Sequence, residues 1–236
     1  METRATQRIS LAEQVAEILL SGDAYESQPL SEEHLAAVLG TSRTPVREAL
    51  AELERAGMVI RRQKKGVYLR RPTIQEKAEF YDVRAALEGF AARRAASLAT
   101  EEQLAELASQ AEIYELAHAR GDRETRLVAD HEFHRAIVAI AGNTILERVF
   151  RQFWLLQKTF SQLAVRMPTT PGDTNSFSHA QIVAALRSRD PDEAERCLRG
   201  HIESVKQRVL AAAMDTGIGE SQPPADQPPD RAVIAR

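Results

Sequence analysis

Apolar positions recur three and four residues apart from the start of the chain. In RISLAEQVAEILL (8–20), Ile9, Ala12, Val15, Ala16, Leu19 and Leu20 share one face, which predicts an amphipathic helix. The stretch SGDAYESQP (21–29) breaks it. Ser31 then stands as N-cap for EEHLAAVL (32–39), with Glu32 and Glu33 in the first turn where the helix dipole favours anions, and Gly40 closes the segment. Thr41 or Ser42 can cap a further helix to about Ala56. Pro45 is tolerated in its first turn, Val46, Ala49, Leu50 and Leu53 form its apolar stripe, and Gly57 stops it. The spacing then changes, and 58–62 and 67–70 predict two short strands around the tip Gln63-Lys64-Lys65-Gly66.

From Pro72 onward the pattern is helical throughout, with helices expected over 73–98, 100–119, 122–141, 143–166, 174–188 and 190–213. Their boundaries carry caps and breakers: Thr100, Gly121-Asp122, Gly142-Asn143, the loop MPTTPGDT and Asp190-Pro191. The chain thus divides into a mainly helical N-terminal unit with a small hairpin (1–71), an all-α bundle (72–213) and a tail rich in proline, glycine and polar residues (214–236), expected to be disordered. There is no internal repeat.

Charge changes this picture. The chain of 236 residues has a net charge of -3, yet residues 40–71 carry nine Lys or Arg against three Glu. A local basic patch on an acidic chain points to a polyanionic partner. Helix, tight turn, helix and basic hairpin together form a winged helix-turn-helix, whose second helix enters the major groove of double-stranded DNA. On that helix Arg43, Thr44 and Arg47 lie on one face, with Ser42 at its start. The arginines reach guanine edges or phosphates, and Thr44 a phosphate. Lys64, Lys65 and Gly66 form the wing tip. The alternative for Arg47 is a pair with a neighbouring glutamate.

The opening METRATQRIS lacks the apolar centre of a signal peptide, and no run of about 18 apolar residues could span a bilayer. A single cysteine, Cys197, fits a reducing compartment. A cytoplasmic protein without membrane contact is expected.

Inside the bundle, polar residues stand where the pattern asks for core. Asp130 and His134, four apart, share a face with Leu127, Ile137, Val138 and Ala141; His179 opens the stripe Ile182, Val183, Leu186; His201 lies among Ala194, Leu198 and Val205. One carboxylate and three imidazoles suit a divalent transition metal, zinc or alternatively nickel, with room for a further ligand. Taken singly, each histidine is also compatible with a hydrogen-bonded core position. Arg84, on an apolar stripe with Phe80, Leu87 and Ala91, needs an anionic partner: Glu88 four residues on, or the carboxylate of a small ligand beside the metal.

The stretch LSEEHLAAVLGTSRTPVREALAELERAGMV, followed by KKGVYL, resembles the DNA-binding domain of GntR-family bacterial transcription regulators. YDVRAALEGFAARRAA, DHEFHRAIVAIAGN, SHAQIVAAL and HIESV resemble, in order, the FCD ligand-binding domain of the FadR subfamily. The resemblance spans about residues 8–213. It implies a homodimer on a short palindromic operator, a small organic acid as effector, a metal held by Asp130, His134, His179 and His201, and Arg84 meeting the effector carboxylate. The count of six bundle helices is similar to the shorter VanR-type branch. Glu33 stands where acyl-CoA-responsive members have a DNA-contacting arginine, and Gln28-Pro29 replaces the usual Pro-Gly before the second helix, so those features do not carry over. The expected function is a DNA-binding regulator, a repressor, controlled by an organic acid at the metal site. A metal-dependent hydrolase fused to a DNA-targeting domain uses the same donors, since three His and an Asp can activate water, but no further Glu or His stands out as its general base. A third reading is a purely structural metal, with a protein as effector.

Overall fold

The computed structural model describes residues 10–21, 29–62, 65–70, 72–151, 153, 156 and 177–215. Lys64 of the wing tip, the loop MPTTPGDT, most of the segment from 152 to 166 and the tail beyond Asp215 lie outside the described residues.

The N-terminal unit folds around α1 (Leu11–Ser21), α2 (Glu32–Val38) and α3 (Arg43–Arg55). Their stripes meet in one core of Val15, Ala16, Leu35, Val46, Leu50 and Leu53, closed below by Met58, Val59 and Leu69. The Ser31 hydroxyl accepts the His34 N–H at 3.1 Å and starts α2, and Gly40 leaves it at φ +61°, a left-handed turn that glycine adopts without strain. Ser42 occupies the N-cap of α3 without a side-chain bond. The hairpin pairs β1 (Val59–Arg62) with β2 (Gly66–Leu69) antiparallel, Val59 opposite Leu69 and Arg62 opposite Gly66. The strands are shifted from the expected ranges: Met58 and Arg70 flank the ladder, joined by a 2.9 Å bond from the Arg70 N–H to the Met58 carbonyl. Ahead of α2, the Leu30 N–H donates to the Val67 carbonyl at 2.6 Å, so this segment docks on the wing.

In the bundle, α4 (Ile74–Leu98), α5 (Glu101–Arg120), α6 (Arg123–Ile140), α7 (described over 144–151), α8 (His179–Arg187) and α9 (Pro191–Asp215) enclose a second core. Thr73, Thr100 and Ser178 start α4, α5 and α8 with reciprocal capping boxes to Glu76, Gln103 and Gln181. Each box satisfies two backbone N–H groups that have no partner within the helix, and so fixes where the helix begins. Asp122 caps α6 after the left-handed Gly121. The most extensive packing joins α4 to α9. Ala91, Ala92, Ala95 and Ala96 are fully buried on α4, and small side chains let helix axes approach closely. Leu104, Leu107, Phe133, Ile137, Ile182, Leu186, Leu198 and Ile202, from α5, α6, α8 and α9, fill the centre. This packing brings one face of α6, the start of α8 and the middle of α9 together.

Candidate metal centre and DNA-facing helix

The i, i+4 spacing on α6 sets Asp130 and His134 one turn apart on its inward face. The Ser178 cap makes His179 the first residue of α8, and α9 brings in His201. The fold gathers all four: one donor atom from each lies within 4.8 Å of every other. His134 and His179 are almost fully enclosed, His201 is buried, and the Asp130 side chain is 20% exposed. Asp130 Oδ1 lies 3.3 Å from His179 Nε2 and 3.7 Å from His134 Nε2.

Neighbours orient these rings. His134 donates its Nδ1–H to the fully buried Glu88 carboxylate. His201 donates its Nδ1–H to the Phe177 carbonyl at 2.7 Å. His179 is clasped by Tyr114, edge-on at 4.5 Å between centroids, and by Phe133 at 4.4 Å. The Nε2 atoms of His134, His179 and His201 are left buried with no hydrogen-bond partner. A buried polar atom without a partner is costly, and three of them on the residues of one cluster with a carboxylate are the arrangement a cation repays.

Electrostatics agree with that geometry. Burial would raise the Asp130 carboxyl, but His134, His179 and Arg84 around it outweigh burial and hold it well below the usual carboxylate range. Burial lowers His201 well below the ordinary histidine range, helped by His179 and His134. Burial also lowers His179, against the pull of Asp130. Metal ligation requires an ionised carboxylate and neutral imidazoles, and the lowered Asp130, His179 and His201 each run in that direction. Three nitrogens and an oxygen fit zinc or another divalent transition metal, since zinc takes His nitrogen and Asp oxygen at about 2.0–2.2 Å. Neighbouring ligands around one ion at such distances stand about 3.0–3.5 Å apart, so donors within 4.8 Å of one another close by up to about 0.7–0.9 Å each.

Arg84 is 2% exposed, and of the two partners considered for it the structure shows Glu88. Its Nε donates to Glu88 at 2.7 Å. Its Nη2 lies 3.9 Å from Asp130 Oδ2 and has no hydrogen bond. The bond from His134 to Glu88 escaped sequence reasoning because it crosses 46 positions between two helices. Glu88 was legible only as the i+4 neighbour of Arg84. The Phe177 contact had no sequence signal at all. His131 and Cys197 are buried but stand outside the cluster.

Phe177 is seated by Gly200 and Arg196. A methyl group at position 200 would collide with the Phe177 ring, and the Arg196 guanidinium lies 5.2 Å from the ring centre on α9. Gly200→Ala should therefore displace Phe177, remove the carbonyl that orients His201, and weaken zinc affinity about 10–100-fold, the range typical of a lost orienting partner. Chelator competition measures it, and unchanged affinity would show that the carbonyl does not matter.

On α3, Arg43, Thr44 and Arg47 are all exposed at the N-terminal end. Arg47 does pair with a glutamate: its Nε and Nη2 reach Glu32 on α2 at 3.2 and 3.0 Å, while Arg43 Nη2 lies 3.9 Å from the same carboxylate. An exposed pair of this kind is screened by solvent and contributes little. In the wing, the Tyr68 hydroxyl donates to the Lys65 carbonyl at 2.9 Å, and Arg62 lies over the Tyr68 ring. Lys65 and Gly66 are exposed at the turn; Gly66 has φ +103°, and a Cβ there would stand 3.0 Å from Pro29.

Two family patterns cover most of the chain. Residues 8–69 match the bacterial regulatory proteins of the gntR family, and residues 79–204 match the FCD domain. The chain belongs to the GntR family. Over 202 residues this GntR protein is 34% identical to the probable D-xylose utilization operon transcriptional repressor of Paenarthrobacter nicotinovorans, spanning 83% of this chain and 87% of that one. Over 221 residues it is 33% identical to the HTH-type transcriptional repressor NanR of Cronobacter sakazakii, spanning 82% and 81%. The solved structure of E. coli McbR/YncC superposes with a TM-score of 0.71 at 25% identity, over 88% of this chain and 99% of that one. The GntR protein is accordingly a DNA-binding transcriptional repressor with an FCD effector-binding domain, and the hydrolase alternative falls with that family assignment.

Proposed function

We propose that this GntR repressor is a homodimer that binds a palindromic operator through α3 and the wing, and releases it when a small organic acid joins a divalent metal, zinc by preference, in the bundle. The observation that carries the reading is the buried ring of donors: three imidazole Nε2 atoms without partners around Asp130, next to an Arg84 Nη2 that also lacks one. Asp130, His134, His179 and His201 hold the metal, which supplies a Lewis-acid anchor for an anionic oxygen. Arg84 takes the carboxylate of the acid. On the DNA side, Ser42, Arg43, Thr44 and Arg47 contact the major groove, and Lys64, Lys65 and Gly66 the neighbouring backbone. Residues 1–71 form the DNA-binding unit, 72–213 the effector-binding and dimerisation unit, and 214–236 an appended tail. Among the described residues no helix is long and apolar enough to cross a membrane, and a bacterial DNA-binding regulator works in the cytoplasm.

The mechanism is a population shift. A dimer must present its two recognition helices about one or more DNA turns apart, about 34 Å per turn, so a small reorientation of the bundles that changes this separation weakens binding. Only a ligand with different affinity for the two arrangements can do this. The test is operator release in a fluorescence anisotropy assay with zinc present, against a panel of carboxylic acids that includes sugar acids, since one relative is named for a D-xylose operon. An acid that lowers operator affinity tenfold or more in wild type but not in Arg84→Met is the expected result. No response across the panel defeats the effector reading.

A further inference from the structure

Glu88 sits where two functions meet. It is a fully buried carboxylate, and such a group is tolerated only when donors compensate it. One oxygen, Oε1, takes the Arg84 Nε–H at 2.7 Å, and the other, Oε2, takes the His134 Nδ1–H. The two donors come from different helices and turn their other nitrogens to different places: Arg84 Nη2 stands 3.9 Å from Asp130 Oδ2, and His134 belongs to the donor cluster.

We propose that Glu88 is the positioning residue that links the metal centre to the anion site, one carboxylate setting both the tautomer of His134 and the direction of Arg84. The inference rests on the reading of the His–Asp cluster as a metal site. With Nδ1–H committed to Glu88, His134 presents a bare Nε2 to the cluster. With Nε committed to the same carboxylate, Arg84 turns its Nη2 toward Asp130. A cation on His134 Nε2 makes Nδ1–H a stronger donor and draws the charge of Glu88 toward Oε2. Arg84 is then less neutralised and attracts an anion more strongly. By thermodynamic reciprocity an anion on Arg84 tightens the metal.

Charge gives the same answer. Arg84 contributes one positive charge, Glu88 and Asp130 two negative ones, so the metal-free site repels anions. A divalent cation reverses the sign and leaves room for one carboxylate. Glu88 thereby makes anion capture conditional on metal.

The experiment uses full-length protein, stripped and reloaded, with zinc alone as the probe and chelator competition as the readout. Glu88→Gln keeps the shape but cannot accept both bonds, and zinc Kd should rise about 10–100-fold. Arg84→Met removes the competitor for the charge of Glu88, so it should tighten zinc several-fold in the wild-type background and clearly less in the Glu88→Gln background, where only its charge beside Asp130 is lost, the non-additivity expected of a shared network. A general loss of structure would not reproduce that pattern. Equal zinc affinity in wild type and Glu88→Gln, or the same Arg84→Met change in both backgrounds, overturns the link while leaving the metal site standing. Wild type that holds no zinc defeats the metal reading itself. Should the Glu88 variant fail to fold, the wild-type protein still decides: a long-range 1H–15N spectrum of the zinc form must show His134 protonated on Nδ1 and ligating through Nε2, and the opposite tautomer refutes the assignment.

Discussion

In His134→Ala/His179→Ala, zinc retained after reconstitution and desalting should fall from about one ion per chain to background, because two of the four protein donors are gone. The accompanying stability change is large. Free zinc at a thousand times its Kd stabilises a folded wild-type site by about 4 kcal/mol. At about 2–4 °C per kcal/mol for a protein of this size, the thermal midpoint rises by roughly 8–16 °C on loading. The double variant should show no zinc-dependent rise. Metal analysis and a thermal scan with and without zinc check both halves. Equal, negligible metal in the two proteins would turn the inward polar residues into a hydrogen-bonded core, yet three Nε2 atoms without partners make that outcome physically expensive.

The ligand set was open to sequence reasoning because each member interrupts an apolar period. Asp130 and His134 repeat at one turn, and His179 and His201 occupy stripes otherwise made of Ile, Val, Leu and Ala. Helical periodicity reports which way a side chain faces, and four inward-facing donors on three helices imply convergence in a bundle. Some helix boundaries were equally legible, since Thr100 and Asp122 are local signals read within three residues, but the Ser178 cap was not: that helix was expected from 174 and starts at His179. What periodicity does not report is which side chains from separate helices touch. Glu88 meeting His134, Phe177 meeting His201 and Glu32 meeting Arg47 all depend on helix crossing and rotation. Glu88 and Phe177 orient two of the donors of the proposed metal site. Glu32 has the analogous place on the DNA side: it lies in the first turn of α2, as its capping pattern required, but its carboxylate is committed to α3.

That commitment bears on the second large effect. Arg43→Ala/Arg47→Ala should lower affinity for a duplex selected for tight binding to wild type by about a thousandfold or more, taking about 1 kcal/mol, the lower end for a specific arginine–base bond, for each arginine in two half-sites. Fluorescence anisotropy at fixed salt measures it, and the slope of log affinity against log salt should become shallower by about one unit for each phosphate that the variant no longer neutralises. The fold should survive, because both side chains are exposed and the α3 core of Val46, Leu50 and Leu53 is untouched. Glu32 gives the internal control. Its Arg47 partner holds its carboxyl below the usual range, so it is ionised at neutral pH and competes with phosphate for the same guanidinium. Glu32→Gln should therefore bind DNA more tightly, and more so at low salt, where the removed repulsion is least screened. Arginine variants that bind as well as wild type would move the DNA-binding surface off the N-terminal end of α3. A Glu32 variant that binds more weakly would mean that the brace on Arg47 is worth more to recognition than the negative charge costs.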